Sequence, residues 1–157
     1  MRRLVPVLLL LAAVAACGRE PAFADRTARV TVGDRTTTFT VDACGLDGQT
    51  FRLAGRAESG AVLQAAVGVE ADGETGVPRS TGITVFGFDQ VDLAAFGDEA
   101  WARRDKDGEA PGSIDTARIR GARVQASGEA AVVDEDEVPT GDQLLDITLD
   151  ARCDAED

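Results

Sequence analysis

Apolar residues fall in two different patterns along this chain. Behind Met1-Arg2-Arg3, Leu4 to Ala13 is a continuous apolar run. It is shorter than the roughly 20 residues that a membrane-spanning helix needs, and its basic start is that of a secretory signal. From Ala28 the period changes to two. Val30 and Val32 alternate with Arg29 and Thr31, Gly33-Asp34 gives a turn signal, and Phe39, Val41 and Ala43 then alternate with Thr38, Thr40 and Asp42. This predicts a β-hairpin over Ala28 to Ala43.

Alternation continues downstream. "CGLDGQ" breaks the chain after the hairpin, and Thr50 to Ala57 and Ala61 to Ala71 read as two more strands. Asp72 to Pro78 is rich in turn residues, and "TGITVFGFD" forms the next strand around Ile83 and Val85. Ile119 to Val133 supplies one or two strands. In "QLLDITLDARC", Leu145, Ile147, Leu149 and Ala151 face one way, a phase that places Cys153 inward. Cys44 follows Ala43 by one and is out of phase, which predicts a bulge or a strand end there.

"DQVDLAAFGDEAWARR", Asp89 to Arg104, carries two periods at once. Asp89 as a cap, Val91, Ala94 and Ala95 at helical spacing and Gly97 as a stop favour a short helix by a narrow margin, although Val91, Leu93 and Ala95 also alternate. A helix over Glu99 to Arg104 carrying Trp101 is a separate possibility. Two strands, "FRLAGRA" and "VQASGEA", share an internal glycine with an alanine two places on, which fits a bulge or close sheet packing. The expected fold is one mainly β domain, an antiparallel sheet or sandwich with at most one or two short helices, with α+β as the alternative.

Composition narrows the chemistry. Of 157 residues, Lys+Arg number 16 and Asp+Glu 28, a net charge of -12, so the overall field repels phosphate backbones and nucleic-acid binding is disfavoured. With no histidine and no tyrosine, Ser-His-Asp and Cys-His catalysis and histidine metal ligation are excluded. No cofactor is implied, and no catalytic or metal-ligating residue is assigned. Any catalysis would have to rest on carboxylates, serine, threonine or lysine; a pair of acids, as in glycosidases, is one such option, but abundance of Asp and Glu is not a constellation. "DKDGE", Asp105 to Glu109, has its glycine at the fourth position where a calcium-binding EF-hand loop wants the sixth, and it reads as a solvated turn. Asp134 to Glu137 reads as a solvated charge run. Phe96 and Trp101 read as packing residues, with the lining of an apolar pocket as the alternative.

The apolar leader ends on Val14-Ala15-Ala16-Cys17, which resembles the lipobox of bacterial lipoproteins. The resemblance implies acylation of the Cys17 thiol and cleavage before it. Residues 1–16 would be the signal peptide, 17–27 the lipidated N-terminus and a short linker, and 28–157 the extracytoplasmic domain. An ordinary signal peptide cut after Ala15 or Ala16 is the alternative, and an uncleaved anchor comes third. Burial of acyl chains yields about 0.8 kcal/mol per methylene, which is enough with more than one chain to hold a protein on a membrane. The ten residues from Gly18 to Thr27 reach about 33 Å at most, so the domain would sit close to the bilayer. If Cys17 carries lipid, Cys44 and Cys153 remain as a pair that would oxidise outside the cytoplasm; a redox or metal-binding pair is the alternative, without CxxC spacing to support it.

The lipobox, the hairpin "ARVTVGDRTTTFTVDAC" ending on a cysteine, and "VQASGEAAVVDEDEVPTGDQLLDITLDARC" closing on a second one together resemble the mycobacterial LpqH-like lipoprotein antigens. The similarity covers most of Ala28 to Cys153. It implies an acylated antigen of the actinobacterial envelope with no established enzymatic activity. This chain departs from the pattern in its shorter linker, its charged segment around Asp98 to Glu109 and its more acidic surface. Three functions follow as expectations. The first is a non-enzymatic, lipid-anchored envelope protein that binds or adheres at the cell surface, with an unknown protein as partner. The second is a carrier of a hydrophobic ligand, and the third a carboxylate-based hydrolase.

Overall fold

The computed structural model describes residues 24–106 and 108–154. Nine strands occupy most of this length: β1 (Thr27–Val32), β2 (Arg35–Asp47), β3 (Thr50–Arg56), β4 (Val62–Val69), β5 (Gly76–Phe88), β6 (Val91–Phe96), β7 (Ser113–Arg120), β8 (Arg123–Val133) and β9 (Pro139–Arg152). One short helix, α1 (Asp98–Ala102), follows β6. All strand pairs are antiparallel, in the order β6-β5-β4-β3-β2-β1-β9-β8-β7. The sheet also closes on itself, because Asp92, Leu93 and Ala94 of β6 pair with Val133, Val132 and Ala131 of β8. Eight strands thus form a hydrogen-bonded circuit, as in a barrel, and β7 takes the rest of the β8 edge and packs against β5.

Tight turns set the hairpin registers. Val32 pairs with Arg35, Asp47 with Thr50 and Arg120 with Arg123, so each loop has two residues. Gly33, Gly48 and Gly121 open these loops at φ 59, 59 and 55, the left-handed geometry that lets a two-residue turn match the twist of its strands. The fourth tight hairpin, between β5 and β6, turns on Asp89 and Gln90 at φ 49 and 71.

That turn decides the region that carried two periods. Asp89 begins no helix. Val91 to Phe96 is a strand, and its alternation puts Leu93 and Ala95 into the interior. Gly97 is extended and serves as the N-cap of α1, so the helix that does form is the later one carrying Trp101. A strand won because both edges of β6 find partners, β5 on one side and β8 on the other.

Cys44 lies beyond a bulge within one continuous strand. The β2–β3 register skips between Val41 and Ala43, leaving Asp42 as the extra residue, and β2 runs on through "CGLD" to Asp47. The break expected at "CGLDGQ" is confined to Gly48 and Gln49, since Cys44 to Leu46 still pair with Leu53 to Phe51. The bulge rotates Cys44 toward the core, where it meets Cys153, itself buried. The two form a disulfide with Cα atoms 5.9 Å apart, an ordinary separation, across 109 residues. Strand β5 likewise starts earlier than expected, at Gly76, because Val69 and Gly68 of β4 hold it in register.

The interior is one continuous apolar cluster with Phe39, Leu63, Ile83, Leu93, Ile147 and Leu149 at 1% exposure or less. A second, smaller cluster lies on the outer surface, where Ala94, Phe96, Ala100, Trp101, Ala131 and Val133 pack beneath the segment that carries α1.

Candidate functional site

Residue Cys17 lies outside the described residues. Cys44 and Cys153 are joined, which leaves neither as a free thiol. Two surface clefts meet at the strand end that carries Cys44 to Leu46. The first, of about 600 Å³, runs over the outer face of β2 to β5. Its floor is made of Ala43, Gly45, Ala54, Ala66 and Gly82, residues too small to fill it, and Phe96 and Arg104 stand at one end. The second, of about 640 Å³, opens beside the disulfide, with Leu46, Phe51 and Ile119 as apolar walls and Arg120, Arg123 and Arg152 around it. The interior itself is occupied by core side chains, so a hydrophobic ligand inside the barrel would have to displace them.

Phe96 and Trp101 are both buried, with ring centroids 5.4 Å apart and planes tilted by 50°. Phe96 lays its ring over Gly82, its cross-strand partner, filling the space that a side chain there would take. Trp101 gives its indole N–H to the Gly108 carbonyl at 3.2 Å. Both rings are packing residues of the outer cluster, and Phe96 also borders the first cleft.

Glu137 is the residue that sequence reasoning missed. It belongs to the acidic run after β8, yet its side chain is only 5% exposed. Its carboxylate accepts a hydrogen bond from Arg104 Nη2 at 2.6 Å and one from the Thr84 hydroxyl at 3.4 Å, and Lys106 Nζ lies 3.4 Å away. Lys106 also donates to the Asp136 carbonyl at 2.5 Å, and the Arg104 guanidinium sits 5.2 Å from the centre of the Phe96 ring. The run is thus split. Asp134 caps the turn by accepting the backbone N–H groups of Asp136 and Val138, while Glu137, at φ 62, turns inward and clamps the 103–106 segment. No local pattern distinguishes Glu137 from its three acidic neighbours, because its partners are far off in the chain, Arg104 33 residues earlier and Thr84 53.

The other acidic features show surface chemistry. Asp105 sits in a turn at φ 51, and among the described residues no group of three or more Asp, Glu or Cys side chains is arranged to hold a metal ion. Asp42 and Asp72 have carboxyls held below the ordinary range. For Asp42 the chief cause is its hydrogen bond from Arg56, at 2.8 Å. For Asp72 it is the Thr75 hydroxyl at 2.6 Å, followed by the backbone N–H groups of Thr75 and Glu74. Both carboxyls are thereby held as anions, the opposite of what a general acid needs.

No protein-family model matches this chain, and no curated protein matches it either.

Proposed function

We propose that this chain is a lipid-anchored binding protein on the outer side of a bacterial membrane, without enzymatic activity and akin to the mycobacterial LpqH-like lipoprotein antigens. The observation that carries this reading is the Cys44–Cys153 bond. It accounts for two of three cysteines and leaves Cys17, at the end of the lipobox-like Val14-Ala15-Ala16-Cys17, as the odd one. A disulfide also suits an oxidising compartment outside the cytoplasm.

The placement of the first strand supports the same reading. Thr27 pairs with Arg152, next to Cys153, so a tether leading to Cys17 would leave the domain at its stapled end. β1 lies between β2 and β9 along its whole length. A pull on the tether would have to shear two ladders at once.

The test is metabolic labelling with palmitate in a host that processes bacterial lipoproteins. Label should enter the wild-type protein, vanish in Cys17→Ser, and partition with the protein into detergent. Label that persists in Cys17→Ser, or a mature N-terminus without an acyl group, overturns the anchor.

A further inference from the structure

Strand register places three rows of polar side chains side by side on the outer face of β7, β8, β9, β1 and β2. Thr116, Ser127, Thr148, Thr31 and Thr36 form the first row, each paired in register with the next. The second is Arg118, Gln125, Asp150, Arg29 and Thr38, and the third Arg120, Arg123, Arg152, Thr27 and Thr40. Neighbours within a row are about 4.8 Å apart, and successive rows are about 7 Å apart along the strands. The other residues of these strand segments, such as Val30, Phe39, Ile119, Val124 and Leu149, point into the core.

This grid differs from the rest of the surface in charge and in chemistry. Its rows hold five arginines and one aspartate, and with Asp25, which lies against Arg152, the net is +3, on a chain whose total is -12. Arg120, Arg123 and Arg152 are directly opposite one another, an arrangement that costs stability unless counter-charges relieve it. Arg123 is relieved by Asp150, with two bonds of 2.9 and 2.6 Å, and Arg152 by Asp25, whose oxygen lies 2.6 Å from Nε but off the N–H direction. Arg118 and Arg120 are exposed and make no ion pair among the described residues. In the hydroxyl row Thr31 bonds Thr36 at 2.8 Å and Thr116 bonds Ser127 at 2.7 Å, while the exposed Thr148 hydroxyl between them has no partner among the described residues.

We propose that this grid is a docking surface for an anionic polysaccharide. Hydroxyls that donate and accept match the hydroxyls of a sugar, and planar guanidinium groups match its carboxylate, sulfate or phosphate substituents. The three rows themselves contain no aromatic side chain to stack a nucleic-acid base and no apolar one; the apolar walls Leu46, Phe51 and Ile119 belong to the second cleft, which Arg120, Arg123 and Arg152 border. The acidic remainder of the protein repels polyanions in general, so attraction is confined to this face. The proposal rests on the reading of the chain as a binding protein, and it is independent of the acyl anchor.

Titration calorimetry on the purified full-length protein, acylated or not, tests it with dextran sulfate as probe. Uncharged dextran, polyglutamate, a single-stranded oligodeoxynucleotide and phosphatidylglycerol vesicles serve as comparisons. Dextran sulfate should bind most tightly, with affinity falling as salt rises. Arg118→Ser/Arg120→Ser should weaken it about tenfold at low salt and reduce the log–log salt slope by about two. Thr31→Val/Thr148→Val should weaken dextran sulfate and leave polyglutamate unchanged, whereas Arg52→Ser, outside the three rows and paired with Asp47, should have no effect. The proposal fails if dextran sulfate does not bind, if the arginine variant binds like wild type, or if polyglutamate, the oligonucleotide or the vesicles bind as well as dextran sulfate. Failure of palmitate labelling would leave these titrations unaffected, so the two readings are tested separately.

Discussion

Glu137 and Arg104 should respond unequally to mutation. Glu137 keeps only 5% of its side chain exposed, whereas Arg104 keeps 41% and Lys106 33%. Arg104→Ala strands a buried carboxylate with Lys106 at 3.4 Å and the weak Thr84 bond, and it removes the guanidinium from the Phe96 ring. Losing one partner of a wholly buried pair costs about 3–5 kcal/mol. The remaining lysine and the partial exposure of Arg104 reduce that to about 2–3 kcal/mol. Glu137→Gln leaves a side-chain carbonyl to accept from Arg104, while both cations can turn to water, so about 1 kcal/mol is expected. The double variant should be less destabilised than the sum of the two, because once the carboxylate is neutral the loss of Arg104 strands no charge. Urea unfolding followed by the fluorescence of Trp101, the sole tryptophan and a member of the adjoining cluster, measures all three. Equal losses in the two single variants, or strict additivity in the double, would refute the idea that the buried carboxylate dominates.

Reducing the Cys44–Cys153 bond, or replacing both cysteines by serine, should lower unfolding free energy by up to about 4–5 kcal/mol, the chain-entropy figure for a loop of this size, as read in urea melts with and without reductant. Asp72 should stabilise the fold in a pH-dependent way. Its folded carboxyl titrates below the unfolded one, so the contribution is present above the unfolded value near pH 4 and lost as pH falls through the folded value; melting temperatures of wild type and Asp72→Asn should differ at pH 7 and converge progressively as the solution is acidified below the unfolded value. Gly128→Ala should cost about 1–3 kcal/mol, since the added carbon would meet the Ile114 Cα at 2.8 Å. Gly45→Ala meets nothing within 4 Å and should be neutral or slightly stabilising in the same melts.

The two strands that share a glycine pattern show what period-two reading can and cannot see. Gly55 pairs with Val41 just before the bulged Asp42, and Gly128 pairs with Ile114 just before the bulged Asp115. In both places the backbone of the bulged strand fills the space of the missing side chain, with Thr40 O at 2.7 Å from where a Cβ on Gly55 would be. The glycines were visible in the sequence as positions where a strand bends, and so was the phase error at Cys44. The partner strand was not visible, because pairing joins residues far apart in the chain. For the same reason the β6 segment reads, by a narrow margin, as a helix: its six residues are a strand because β5 and β8 flank them.

The polar grid was hidden for a deeper reason. In one dimension Thr31, Thr36, Thr116, Ser127 and Thr148 are the outward half of ordinary alternation, and the arginines are scattered basic residues in an acidic chain. They become rows only once the registers are set: Gly33-Asp34 brings Thr31 opposite Thr36, Gly121-Ala122 brings Arg120 opposite Arg123, and β9 joins the two hairpins by pairing with β8 on one edge and β1 on the other. A shift of one residue in that last pairing would turn β9's outward residues to the core, burying Thr148 and Arg152 where Leu149 and Ala151 now pack. The apolar core that fixes the register therefore also aligns the outer face, so variants of these surface residues can probe binding without disturbing what positions them.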